Sequence, residues 1–151
     1  MKKPPVVVAD ADAIVAQAFP KDNNHKKASD ISKRLVKLNA QVIYPVTAIV
    51  EAVTVIQRVL NSSATAYATA VTFTNPGAEI APITNRIYSN AVNKYFSPDT
   101  SKKNTLFDCI VASVADEYGA EAVFSFDKFY KAKGFKLASD LVFYKIRNPG
   151  K

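Results

Sequence analysis

Three short runs, PVVVAD (residues 5–10), QVIYP (41–45) and AEAVFSFD (120–127), are apolar with almost no polar interruption, and each stops at a carboxylate or a proline. A strand that faces water on one side alternates apolar and polar residues. A continuous apolar run fits a strand covered on both faces, as in a parallel sheet. The intervening segments carry helical spacing. Ala28, Ile31, Leu35 and Leu38 repeat on one side of a segment whose other faces hold Lys26, Lys27, Lys33, Arg34 and Lys37. Residues 46–60 place Val46, Ile49, Val50, Val53, Ile56 and Leu60 on one side, with Thr47, Glu51, Thr54 and Arg58 on the opposite stripe. Residues 105–119 open at Thr105, a good N-cap, and close at Gly119, a good C-cap. The stretch 61–104 reads as helices over 64–73 and 84–96, an NPG turn, a short EIAPI strand at 79–83 and a loop at 97–104. Alternation of this kind in one 151-residue domain predicts an α/β fold, a three-layer α/β/α sandwich around a mostly parallel sheet.

Composition narrows the chemistry. A single cysteine, Cys109, allows no internal disulfide, and with a single histidine, His25, no Cys/His zinc site can form. Any metal must therefore be held by oxygen. The opening MKKPPVVV superficially resembles a signal peptide, but Asp10 and Asp12 cut its apolar run short. No later run approaches the ~18 apolar residues of a membrane span. The expectation is a cytoplasmic protein with no membrane partner. Twenty Lys and Arg against 13 Asp and Glu give a formal charge of +7, which suits an anionic partner such as nucleic acid and equally suits simple solubility.

In open parallel sheets, ligands bind outside the carboxyl ends of the strands. Asp10 and Asp127 fall at two such ends, and Glu51 and Asp108 lie near the starts of helices that reach the same rim. Each has a plainer role available. Asp108 stands three residues after Thr105 and could complete a capping box; Glu51 could be solvated beside Arg58; Asp127 could cap a DKFYKAK helix; Asp10 or Asp12 could cap the first helix. If the acids converge, two unit charges about 4 Å apart repel by roughly 4 kcal/mol at an effective dielectric of 20. They then need protons or a cation, and hard ions such as Mg²⁺ or Mn²⁺ match an all-oxygen donor set.

The order strand–Asp10, helix–Glu51, Thr105-x-x-Asp108 and Ser125-Phe126-Asp127 resembles the PIN-domain nucleases, particularly the VapC-type toxin ribonucleases of toxin–antitoxin pairs. The resemblance spans essentially the whole chain, 1–151, as one PIN-like domain. It implies that Asp10, Glu51, Asp108 and Asp127 form a catalytic acidic site for one or two Mg²⁺ or Mn²⁺ ions acting on an RNA substrate. It also implies a homodimer and an antitoxin partner. Ser125 matches the family's small hydroxyl residue two positions before the last acid, and His25 matches a structural or surface position. Asp12 departs from the Asn or Ser common in the family; it either tightens metal binding or caps a helix. The tail 134–151 matches weakly, and its lysines and Arg147 either touch RNA or are solvated.

Two other readings remain open on sequence. VVVADADA also resembles the strand end of haloacid-dehalogenase-like phosphatases, with Asp10 as a phosphorylated nucleophile and Asp12 as general acid, although Ile14 does not fit and Glu51 would have no role. The third is a non-catalytic PIN-like binding module.

Overall fold

A computed structural model of the chain describes residues 3–147, with side chains through Val142. The side chain of Arg147 and the last tail lysines lie outside the described residues. Five strands form one all-parallel sheet in the order β3-β2-β1-β4-β5: β1 (Val6–Ala9), β2 (Gln41–Pro45), β3 (Glu79–Ala81), β4 (Ala122–Phe124) and β5 (Lys136–Leu137). Between them run α1 (Ala11–Ala18), α2 (His25–Lys37), α3 (Val46–Thr54), α4 (Ser63–Thr72), α5 (Asn85–Asn90), α6 (Leu106–Glu117), α7 (Phe129–Ala132) and α8 (Ala138–Arg147). Wider π-helical turns over Val55–Val59 and Ala91–Tyr95 extend α3 and α5.

The valines of β1 explain its central place. Val7, Val8 and Ala9 are completely buried, because alternate residues enter two separate cores. Val8 packs with Ile43, Val123 and the inner faces of α3 and α6. Val7 and Ala9 pack with Phe124, with Ala28, Ile31 and Leu35 of α2, and with Leu141 and Val142 of α8. These are the three expected layers.

Helix ends follow their sequence signals. At the end of α6, Gly119 has φ of +62°, and the amides of Gly119 and Ala120 donate back to the carbonyls of Asp116 and Ala115. This is a Schellman close, in which the left-handed residue costs glycine least. Asn39 plays the same part after α2, with φ of +53°.

The strand expected over 120–127 is shorter, because Ser125, Phe126 and Asp127 leave the sheet for contacts with Asp12 and α7. The tail contains an unexpected strand and helix, β5 and α8; α8 supplies much of the second core layer. Among the described residues no helix is long and apolar enough to cross a membrane.

Candidate metal centre

In the sheet, β1 lies between β2 and β4, and the chain order reverses direction there. Such a switch point opens a crevice beyond the carboxyl ends of the strands. The amide of Asp10, the first residue past β1, donates to the carbonyl of Phe124 at 3.0 Å and ties the two strand ends together. Around this point the fold gathers Asp10, Asp12, Glu51, Asp108 and Asp127.

Asp10 is 4% exposed and caps α1: its Oδ1 accepts the Ala11 amide at 2.6 Å. Its Oδ2 accepts the hydroxyl of Tyr130 at 2.6 Å, and the same hydroxyl lies 3.5 Å from Oδ1 of Asp108. Asp108, in the first turn of α6, accepts the Thr105 amide through Oδ2 at 3.0 Å. The capping contact of Asp108 and its contact with Tyr130 are therefore made by different oxygens of one carboxyl group.

Glu51 enters from the second turn of α3. Its Oε2 is buried and has no hydrogen-bond partner among the described residues. Burial, followed by the charges of Asp108 and Asp12, pushes its carboxyl up to about 7. The same forces act on its neighbours. Burial first, then Asp12 and Asp108, raise Asp10 well above the carboxylate range, while the Tyr130 hydrogen bond opposes the rise. Asp12 and Asp108 are also raised, chiefly by burial, with Asp127 adding repulsion to both. Tyr130 is raised well above an ordinary phenol by burial and by Asp10, so it remains a proton donor across the working range.

Asp127 and Asp12 are occupied differently. Asp127 accepts the Phe129 amide, at the start of α7, through Oδ1 at 2.9 Å and the Asn104 side-chain amide through Oδ2 at 2.8 Å. Asp12 accepts the Ala13 amide through Oδ1, and its Oδ2 takes the Ser125 hydroxyl at 2.9 Å and the Phe126 amide at 2.8 Å. It thus fastens α1 to the loop after β4. Ser125 in turn accepts the Asp127 amide at 3.0 Å. His25 is structural, its Nδ1 lying 2.7 Å from the Ala16 carbonyl.

Of the four acids expected to converge, Asp10 and Asp108 meet at one hydroxyl, Glu51 feels the charge of Asp108, and Asp127 adjoins them through Asn104 and α7. Among the described residues, no three Asp, Glu, His or Cys side chains form a ready-made metal cage. The donor set nevertheless suits an ion that keeps several of its waters and takes only one or two carboxylates directly, as Mg²⁺ does. The orphaned Oε2 of Glu51 and the mutually raised carboxyls are what a cation would relieve. Sequence reading missed Tyr130 and Asn104. The one available signal was a tyrosine three residues past Asp127, since a buried phenol needs a polar partner.

A cleft of about 1020 Å³ lies elsewhere, between α1, α4 and the starts of β2 and β3, lined by residues such as Gln17, Gln41, Thr69 and Glu79 and by none of these acids.

The fold has known relatives. No curated protein sequence matches the chain. Among solved structures, Mycobacterium tuberculosis VapC20, a toxin that cleaves the sarcin–ricin loop, superposes with a TM-score of 0.72 at 17% identity, covering 85% of this chain and 95% of that one. At that identity the likeness speaks for the fold. The model of the PIN domain family matches residues 7–136, which run from β1 into β5 and include all five clustered acids. With most of its length matched by that model, the chain belongs to the PIN domain family.

Proposed function

We propose that the protein is a Mg²⁺- or Mn²⁺-dependent endoribonuclease whose ion is held by Asp10, Glu51 and Asp108. The observation that carries this reading is the buried, unpartnered Oε2 of Glu51 facing a cluster of acids that raise one another's pKa. A structural carboxylate would be bonded; one kept bare and half-buried among like charges is costly unless a cation arrives. Bound there, a divalent ion supplies a water of lowered pKa and neutralises charge that develops on a phosphate. Asp10 and Asp108 present oxygens to it from fixed positions, each restrained by a backbone amide. Asp127 keeps Asn104 and α7 in place and orients the rim, and Asp12 holds the loop between them. Lys27 of α2 lies over the ring of Phe126 at 5.7 Å and Lys133, at the end of α7, over Phe129 at 5.5 Å, so positive charge rests on aromatic rings to either side of Asp127 in the chain. Both features suit a single-stranded RNA backbone and its bases.

A toxin role with an antitoxin partner and a homodimeric assembly accords with family membership and the VapC20-like fold. The aspartyl-phosphate alternative finds less support. Asp10 is 4% exposed with both oxygens hydrogen-bonded, which suits a held ligand better than a nucleophile open to phosphate. The test is cleavage of a structured RNA with and without Mg²⁺ or Mn²⁺ by the wild type, Asp10→Asn and Asp108→Asn. Metal-dependent cleavage lost in both variants, with circular dichroism unchanged, supports the proposal; variants that still cleave sink it.

A further inference from the structure

Tyr130 is completely buried, in the core formed by Val8, Ile43 and Val123, and its ring meets Phe129 edge-on at 5.2 Å. Packing alone would be served by phenylalanine, since burying a hydroxyl costs free energy unless it is bonded. The hydroxyl does not turn to a backbone carbonyl or to solvent; its contacts are the carboxyl groups of Asp10 and Asp108. A phenol has one proton to give, and the 2.6 Å separation assigns it to Asp10, with Asp108 at 3.5 Å the weaker contact.

The placement of the ring is itself directed from the site. Asp127 Oδ1 accepts the Phe129 amide at the start of the four-residue α7, one residue before Tyr130. A line of contacts therefore runs from Asp127 through α7 to Tyr130 and on to Asp10.

We infer that Tyr130 is a positioning residue of the acidic centre: its hydroxyl fixes the Asp10 carboxyl so that Asp10 and Asp108 present a set pair of oxygens to a divalent cation. This rests on the metal-dependent reading above. Ligating carboxylates are commonly oriented by a hydrogen-bond donor behind them, and losing that donor weakens metal affinity by about 10–100-fold. Tyr130 would act through Asp10 without touching the ion. Asp127 would contribute in part by placing Tyr130, which gives this acid a task even while both its oxygens are bonded within the protein.

The experiment is calorimetric titration of Mn²⁺ into the full-length wild type, Tyr130→Phe and Phe135→Leu. Tyr130→Phe keeps the ring and removes the donor. Phe135→Leu loosens packing beside α7 without touching an acid. The expected result is a Kd for Mn²⁺ weakened by about tenfold or more in Tyr130→Phe and within twofold of wild type in Phe135→Leu. Wild-type affinity in Tyr130→Phe overturns the inference and leaves the metal centre standing. Equal losses in both variants also overturn it, because the effect would then be one of packing. A wild-type protein that takes up no Mn²⁺ overturns the metal reading itself, and this inference with it.

Discussion

Replacing Glu51 by glutamine should stabilise the metal-free protein near pH 8 and leave it almost unchanged near pH 4. The Glu51 carboxyl rises from 4.5 to about 7 in the folded chain, through burial and the charges of Asp108 and Asp12. Below the unfolded value it is protonated in both states and contributes no pH-dependent difference. Between the two values the folded chain retains a proton that the unfolded chain releases, so stability falls as pH rises and the loss is complete above about pH 8. Converted in full, the shift corresponds to roughly 3 kcal/mol; solvent screening of a half-buried carboxyl reduces that to about 1–2 kcal/mol. Glutamine has nearly the same shape and cannot ionise, so it should recover most of this, a rise of about 3–6 °C in Tm for a chain of this size. Thermal melts in chelator at both pH values measure it. The same variant should bind Mn²⁺ more weakly, a case of site chemistry opposing stability. Equal destabilisation of Glu51→Gln at both pH values would refute the reasoning, because it would mean that the charged carboxylate is already well partnered without metal.

Asp12→Ala should cost about 2–4 kcal/mol in urea unfolding, because it strands the Phe126 amide and the Ser125 hydroxyl, and relief of like-charge repulsion should offset only part of that. Gly119→Ala should cost about 1 kcal/mol, for strain at φ of +62° with no steric clash, while cleavage activity stays at the wild-type level. Mn²⁺ at 100 times its Kd should raise the stability of the wild type by about 2.7 kcal/mol, seen as an increase in Tm that Asp10→Asn lacks.

The fold was legible where burial leaves a pattern in the chain. β1 is covered on both sides, as its unbroken apolar run implies, whereas β2 buries Ile43 and Pro45 and leaves Val42 and Tyr44 half-buried. The helix over residues 28–38 showed its apolar stripe, and Gly119 marked the end of α6. β5, with only Lys136 and Leu137, is too short to carry any periodicity that would mark a strand in the tail. The overlong strand at 120–127 had a different cause. Phe126 looks like a strand residue, but its amide is taken by Asp12, 114 positions earlier, a partner no local pattern announces.

The site followed the same division. The order of Asp10, Glu51, Asp108 and Asp127 along strands and helices could be read, since the topology brings those positions to one rim. Which oxygens are free could not. Asp127 has both of its oxygens bonded, Glu51 keeps one bare, and Asp12, for which the sequence leaves metal binding and helix capping open, fastens the loop. Those assignments depend on side chains meeting across the fold.

The most direct test is an anomalous-difference map from crystals of the protein grown with Mn²⁺. A manganese peak coordinated by Asp10 together with Asp108 or Glu51 is the result expected of an oxygen-ligated nuclease centre. Well-ordered carboxylates with no peak among them, or manganese bound only at other surfaces, would contradict it.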